Sequence, residues 1–308
     1  MSISTVQRKI VVILGPTASG KSALAVRLAK EYGGEVISAD SRQVYRGLDR
    51  GTCKITRREM RGIPHHLLDV ASPRRQFSAA RYDALARRAL RGIIRRGKLP
   101  IICGGSGQYI DALLGAHPIP NVPPDAKLRA RFERLSVAEL FAKLKNLDPR
   151  RAAEIDRHNP RRLVRALEIV ITTGKPVPNV ALRQVQDKKS PYDFLKFGLN
   201  PPAAELRRRL NTRLAKDIRC GLITETKKLH EQGLSWKRLN ELGLEYRLVA
   251  QYLRGEIQTK EELSQKLQRE LWQYTKRQMR WWKRDKDIRW ARDERTAMLI
   301  ARSALRRK

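Results

Sequence analysis

The stretch Lys9-Ile10-Val11-Val12-Ile13-Leu14-Gly15-Pro16-Thr17-Ala18-Ser19-Gly20-Lys21-Ser22 decides the fold. Lys9–Leu14 is a short β-rich run, and Gly15–Ser22 matches G-x-x-x-x-G-K-[ST], the phosphate-loop pattern. A helical pattern follows from Lys21 to Tyr32, with apolar Leu24, Ala25, Leu28 and Ala29 on one face. Gly15 and Gly20 let the backbone turn so that successive N–H groups converge on phosphate oxygens. The helix N-terminus adds its partial positive charge. Lys21 supplies a mobile cation, and the Ser22 hydroxyl suits Mg²⁺ or a phosphate oxygen. An ordinary Gly-containing turn would lack strand, loop and helix in register. The motif therefore predicts a phosphorylated ligand without saying which one.

Charge narrows the partner. Lys plus Arg number 66 and Asp plus Glu 31 among 308 residues, so the formal balance is 66 − 31 = +35. A surplus of that size attracts polyanions, with nucleic acid first among them. The basic residues are spread along the whole chain rather than gathered in a tail. Only Cys53, Cys103 and Cys220 occur, with no C-x-x-C spacing, which argues against a disulfide framework or a structural zinc. No apolar run approaches the roughly 18 residues of a membrane span. Met1–Arg8 is short and polar, with no signal peptide pattern. These features predict a cytoplasmic protein, and the lack of a heptad seam predicts a monomer.

Outward from the loop, Glu35–Ser38 reads as a second short strand, leading into Ala39-Asp40-Ser41-Arg42-Gln43-Val44-Tyr45. Residues just past the end of a parallel strand line the ligand crevice, which places Asp40 and Ser41 near the phosphate loop. A helix N-cap explains an Asp-Ser pair equally well. Gly47–Lys54 is a polar, Gly-rich loop. His65–Val70 is a further strand candidate, and its two histidines lack ligand-spaced partners for a metal. Phe77–Arg96 is an amphipathic basic helix. Leu99–Cys103 is a buried strand, parallel by the β-α-β rhythm, and it runs into a second Gly-rich loop, Gly104–Tyr109.

Pro118, Pro120, Pro123 and Pro124 then mark an exit from the core. Helical, basic sequence follows at Asp125–Arg134, Ser136–Leu144, Arg150–Arg157 and Arg161–Thr173. Phe194–Leu199 resumes the sheet. On the next helix Arg209 and Arg213 are i, i+4 neighbours able to clamp a diphosphate. Leu242–Arg247 precedes a short helix ending near Leu253. Lys260–Lys283 is a long helix whose end, Lys276–Arg284, interleaves Trp281 and Trp282 with cations, a pattern suited to stacking on bases. The expected architecture is an α/β fold. It has a P-loop NTPase-like parallel sheet core flanked by helices, formed by residues 1–120 and 193–308, and an all-helical insertion at residues 121–192.

Taken together, the motifs resemble those of the bacterial tRNA dimethylallyltransferases over nearly the whole chain. The resemblance rests on Gly15–Ser22 (GPTASGKS), Ser38–Lys54 (SADSRQVYRGLDRGTCK) and Pro64–Asp69 (PHHLLD). Gly104–Tyr109 (GGSGQY), Asn159–Glu168 (NPRRLVRALE) and Lys276–Trp282 (KRQMRWW) complete it. It implies transfer of a dimethylallyl group from dimethylallyl diphosphate to N6 of the adenosine 3′ of the anticodon, with Mg²⁺ and release of diphosphate. The diphosphate would lie on Gly15, Pro16, Thr17, Ala18, Ser19, Gly20, Lys21 and Ser22, assisted by Ser106 and Arg213, with Mg²⁺ reached by Ser22. Asp40 matches the residue that accepts the amine proton.

The tRNA anticodon stem-loop would meet Asp40, Ser41, Arg42, Gln43, Ser106 and Arg129, then Arg161, Arg162, Leu163, Val164 and Arg165. Tyr246, Arg247, Lys276, Arg277, Gln278, Arg280 and Trp281 complete that set. The sequence departs from the family in carrying Ser106 where Thr is common and Glu245 where Gly is common. It also shows no C-terminal Cys/His finger of the eukaryotic kind. Three other readings stand beside this one. A small-molecule kinase leaves the +35 charge unused, and a prenyltransferase for free adenine nucleotides leaves the basic insertion unused. An RNA-binding module with a degenerate loop does not explain intact Lys21, Ser22 and Asp40.

Overall fold

Six parallel strands in the order β3-β2-β4-β1-β5-β6 form the sheet that carries the phosphate loop. The structure, a computed structural model, describes residues 8–115, 120, 122–178 and 191–306. The chain opens β1 (Arg8–Leu14), α1 (Lys21–Tyr32), β2 (Gly34–Ser38), α2 (Arg57–Met60), β3 (His65–His66), α3 (Ala79–Arg95), β4 (Leu99–Gly104) and α4 (Gly107–Leu113). The helical segment contributes α5 (Ala126–Phe132), α6 (Val137–Leu147), α7 (Pro149–Glu154) and α8 (Pro160–Thr173). The sheet resumes with β5 (Tyr192–Leu199), followed by α9 (Ala203–Arg219), α10 (Leu222–Glu231), α11 (Trp236–Leu242), α12 (Leu244–Leu253), α13 (Lys260–Trp282), β6 (Arg289–Ala291) and α14 (Glu294–Arg306).

The strand period of two explains why β1 reads as an unbroken apolar run. Ile10, Val12 and Leu14 join one core, with Tyr82, Leu90 and Ile93 of α3 and Ile110 and Leu113 of α4. Val11 and Ile13 join the other, with Leu24 and Leu28 of α1 and Met298 and Ala301 of α14. Both faces of the sheet are thus covered, as a parallel sheet requires. Leu214, Leu222, Leu248, Leu263 and Leu267 form a further cluster that ties α9, α10, α12 and α13 together.

Two compact units result, residues 1–114 with 189–308 and residues 115–188. In the helical unit, Phe132, Leu140, Leu144, Leu163, Leu167 and Val170 pack together. Its helices start at side-chain caps visible in the sequence: Asp125, Ser136 with Glu139 in a capping box, Asp148 before Pro149, and Asn159 before Pro160. Buried Asp148 also holds the far end of the unit, because its Oδ2 accepts from Val177 N at 2.7 Å.

Several elements differ from the sequence-based expectation. Tyr192 belongs to β5 rather than to the insertion, which here spans residues 115–188. The candidate strand at His65–Val70 shortens to His65–His66, because Leu67 (φ 66°) and Asp69 (φ 57°) adopt left-handed backbone that ends an extended run. The two histidines bond to Ile63 O and to the Glu35 carboxylate. Short β6 and α14 carried no signal strong enough to be read. Pro118 and position 121 lie outside the described residues.

Candidate active site

The C-terminal ends of β1, β2 and β4 converge on one cavity of about 170 Å³. Its walls come from the phosphate loop (Thr17, Ala18, Gly20, Lys21, Ser22 and Ala23), from Asp40 and Gln43, from Thr52 and Cys53, from Cys103 and Gly104, and from Arg213 of α9. Ligand crevices in open parallel sheets lie at this edge, where successive strands part to either side.

The phosphate loop takes its shape from glycine where no other residue fits. A Cβ at Gly15 would lie 2.5 Å from the Leu199 carbonyl oxygen, and Gly20 caps α1 at φ 95°. Gly20 offers no side-chain cap, so the first-turn amides of α1 are left for a ligand. Within the loop Lys21 Nζ donates to Pro16 O at 3.1 Å, and Thr17 N donates to Gln278 Oε1 at 3.0 Å. Ser19 Oγ is buried without a hydrogen-bond partner among the described residues. Burial pulls the Lys21 ammonium below its ordinary value, opposed by the field of Asp40, and pushes the neighbouring Cys103 thiol up to about 11. An anion bound beside Lys21 favours its charged form.

Asp40 opens the turn that follows β2. Its Oδ1 accepts from Arg42 N at 2.8 Å and Gln43 N at 3.3 Å, while Oδ2 accepts no hydrogen bond from a described residue. One oxygen therefore fixes the carboxylate, the cap that an Asp-Ser pair suggests, and the other remains available at the cavity. Ser106 differs from expectation. Its Oγ accepts from Ser41 N at 2.9 Å, and it supports the turn beside Asp40 without lining the cavity. Beside it Gly104 packs closely on Ala39, where a Cβ at Gly104 would lie 2.1 Å from Ala39 O, and Ser106 N donates to the same carbonyl at 3.1 Å.

The arginine pair of α9 divides. Arg213 lines the cavity, and its buried Nε lies 3.7 Å from Asp217 Oδ2 without a hydrogen bond. Arg209 turns to the rim, bonding Glu205 Oε1 at 2.7 Å and Ser19 O at 3.4 Å. Cys53 Sγ donates to Asp217 Oδ2 at 3.2 Å. Burial raises the Asp217 carboxyl despite that bond and the opposing pull of Arg213. Glu245, in the first turn of α12, is pushed by burial up to about 7, against the pull of Arg213 and with the field of Asp40 adding to the rise. Thr52, Cys53, Asp217 and the charge balance at Glu245 escaped the sequence reading. Thr52 and Cys53 lie within the Ser38–Lys54 stretch without standing out there, Glu245 stood out only as a departure from the family pattern, and Asp217 sits on a helix with no motif spacing to mark it.

The residues expected to meet RNA fall into two groups. Arg161 and Arg162 of α8 and Lys276, Arg277 and Arg280 of α13 are exposed. Ser41, Arg42 and Gln43 are half-buried at the Asp40 turn, where Arg42 Nη1 donates to Glu241 O at 2.9 Å. Arg247 is half-buried and paired with Glu270. The side chains of the others are engaged within the protein. Tyr246 is fully buried and donates its hydroxyl to Glu225 Oε1 at 2.7 Å. Gln278 is buried between the two glycine loops, donating Nε2 to Gly105 O at 3.0 Å. Trp281 bonds Asp111 Oδ2 at 3.0 Å, against Gly107, where any Cβ would strike the indole.

In the helical unit, Leu163 is core and Val164 packs against that core. Arg129 and Arg165 surround the fully buried Glu168 carboxylate. Arg129 bonds both of its oxygens at 2.9 Å, and Arg165 pairs with it and with Val122 O.

A phosphate loop, a carboxylate fixed through one oxygen and a converging arginine make an arrangement able to hold an anionic group beside a carboxylate. Comparison with known proteins makes this specific. Residues 43–285 match the family model for IPP transferase. The chain is 38% identical over 298 residues to the tRNA dimethylallyltransferase of Pelotomaculum thermopropionicum, covering 96% of this chain and 94% of that one. It is 40% identical to the enzyme of that name from Anoxybacillus flavithermus over 92% of this chain and 89% of that one. The crystal structure of the full-length tRNA isopentenylpyrophosphate transferase from Bacillus halodurans superposes with a TM-score of 0.71 at 36% identity, covering 97% of this chain and 96% of that one. A eukaryotic dimethylallyltransferase acting on tRNA superposes at 0.76 with 28% identity, over 89% and 70% of the two chains. The chain belongs to the IPP transferase family, the tRNA dimethylallyltransferases.

Proposed function

We propose that this protein transfers the dimethylallyl group of dimethylallyl diphosphate to N6 of the adenosine 3′-adjacent to the anticodon (position 37), in tRNAs reading codons that begin with U. The observation that carries the reading is the shared cavity: the phosphate loop, Arg213 and Asp40, whose Oδ2 accepts no hydrogen bond from a described residue, line the same space. The diphosphate sits on the first-turn amides of α1, with Lys21 and Arg213 countering its charge. N6 attacks the allylic carbon, and the N–C bond forms as the C–O bond to diphosphate breaks. The electron pair stays on the departing oxygen, and the N6 proton passes to Asp40 Oδ2. Gln43 N and Arg42 N hold Oδ1 and so orient the acceptor. The base reaches this space by leaving the anticodon stack.

Mg²⁺ fits these residues as a diphosphate-borne ion rather than a protein-caged one. The described residues contain no cluster of three metal-ligating side chains, while the Ser22 hydroxyl lines the cavity. Ser22 would share the ion with diphosphate oxygens, and the ion would neutralise charge on the leaving group. The exposed cations of α13 and of α8 supply phosphate contacts to the anticodon stem-loop. No helix of the described residues is long and apolar enough to cross a membrane. A cytoplasmic monomer suits a substrate of this kind.

The test is label transfer from dimethylallyl diphosphate to an unmodified tRNA with adenosine after the anticodon, with AMP and ADP as parallel acceptors and with and without Mg²⁺. Label in the tRNA alone, lost when that adenosine becomes guanosine, is the expected result. Label in the nucleotides would move the activity to free adenine nucleotides. Phosphoryl transfer from ATP to a small acceptor with no prenyl transfer would make the protein a kinase.

A further inference from the structure

One wall of the cavity is held from behind by a single carboxylate. Glu225, in the first turn of α10, gathers the backbone amides of three successive residues. Its Oε2 accepts from Asp49 N at 3.1 Å and Arg50 N at 2.9 Å, and its Oε1 accepts from Gly51 N at 3.2 Å. The buried Tyr246 hydroxyl donates to the same Oε1 at 2.7 Å. Successive amides aimed at one anion form a nest of the sort that binds phosphate, and here the chain supplies the anion itself. Gly51 lies so close to Tyr246 that a Cβ there would come within 2.6 Å of the ring, so the loop, the ring and the carboxylate interlock.

The lock reaches the reacting groups through Gln43. The loop continues into Thr52 and Cys53, which line the cavity, and their carbonyls accept from Gln43 Nε2 at 3.1 and 3.3 Å. Gln43 N in turn donates to Asp40 Oδ1 at 3.3 Å. Cys53 leads the other way, to Asp217 and so to the neighbourhood of Arg213. The proposed proton acceptor therefore stands two hydrogen bonds from the loop that Glu225 holds, and the proposed diphosphate arginine lies beside Asp217, which accepts from Cys53 of that loop.

We propose that Glu225 is a positioning residue for group transfer: by holding the amides of Asp49–Gly51 it sets the wall from which Gln43 and Asp40 take their orientation. It does not line the cavity and touches no substrate. The inference rests on the transfer reading above. The test compares wild type, Glu225→Gln and Tyr246→Phe by hydrogen-exchange mass spectrometry and by transfer kinetics. Glu225→Gln sets an amide NH₂ against backbone donors, so the segment 49–53 exchanges faster while β1 and β4 keep their protection. Its kcat/KM for the prenyl donor falls by about 10- to 100-fold, the loss expected for hydrogen bonds to a charged group, while tRNA Kd stays within about twofold. Tyr246→Phe gives the same pattern at smaller size. A loosened loop with unchanged kcat/KM, or a tRNA affinity that falls as far as the rate, overturns the proposal. Should Glu225→Gln loosen the whole sheet, Tyr246→Phe decides by the same two readouts. The exchange readout does not depend on the reaction, so a wild-type chain that transfers no label refutes the reaction and leaves the clamp to be judged by exchange.

Discussion

Gln278 Oε1 accepts the Thr17 amide proton at 3.0 Å, joining α13 to the phosphate loop across 261 residues of chain. The same side chain donates to Gly105 O at 3.0 Å, so one amide ties both glycine loops together. Gln278→Leu leaves a buried donor and acceptor unmade, at a cost of about 1–3 kcal/mol each way. The expected outcome is a rise in donor KM of about tenfold or more, with tRNA affinity changed far less. Steady-state kinetics against each substrate separate the two. An unchanged donor KM would show that the loop keeps its shape without this tie.

Asp40→Asn keeps the side-chain oxygen that Arg42 N and Gln43 N bond but removes the proton acceptor. Turnover falls by about 10²–10⁴-fold, the usual worth of a general base. tRNA binding, followed by filter retention, stays within a few fold. Equal losses of rate and binding would remove Asp40 from the role of base.

The Glu168 network makes the helical unit sensitive to acid. Burial pushes this carboxyl up, but the hydrogen bonds from Arg129 and Arg165 outweigh it and leave it below its ordinary value of 4.5. A depressed folded value adds stability that is full above 4.5 and lost as pH falls through the folded value. Far-UV circular dichroism during acid titration reads this loss, and Glu168→Gln flattens it. Arg129→Ala destabilises the unit by about 3 kcal/mol, because it strips a partner from a fully buried carboxylate. A loss of RNA binding in that variant then reports unfolding as well as lost charge, and a melting curve tells them apart.

Glu245 has the opposite sign. Its carboxyl is pushed up to about 7 in the folded state, so the folded protein holds a proton that the unfolded chain releases near 4.5. Stability therefore declines as pH rises from about 4.5 to about 7 and is level beyond. Glu245→Gln removes the decline and raises the melting temperature at neutral pH. Parallel pH–stability curves for wild type and variant would rule out this account.

The phosphate loop was legible because its signature is local, although distant Leu199 and Gln278 pack on it and bond to it. Gly15 and Gly20 permit the turn, Ile10–Leu14 is apolar on both faces, and the helix starts at once, all within one short stretch. The helical unit was legible for the same reason, since Asp148-Pro149 and Asn159-Pro160 announce their helices by cap and proline. Asp40 was found by its place after a strand. Whether it capped a turn or faced a ligand was open in the sequence, and the structure commits its Oδ1 to the turn.

What the chain alone determined, then, is the phosphate-binding strand–loop–helix, the parallel core, the helical insertion and the polyanion-seeking charge. Each follows from neighbours in sequence or from composition. Only the tertiary structure decided that Tyr246 and Gln278 point inward, that Ser106 supports Ser41, that Arg209 and Arg213 part company, and that Glu225 holds the loop beside the cavity. A buried polar side chain and an exposed one are the same letter in a sequence. They separate only when distant segments supply, or fail to supply, the partners that make burial affordable.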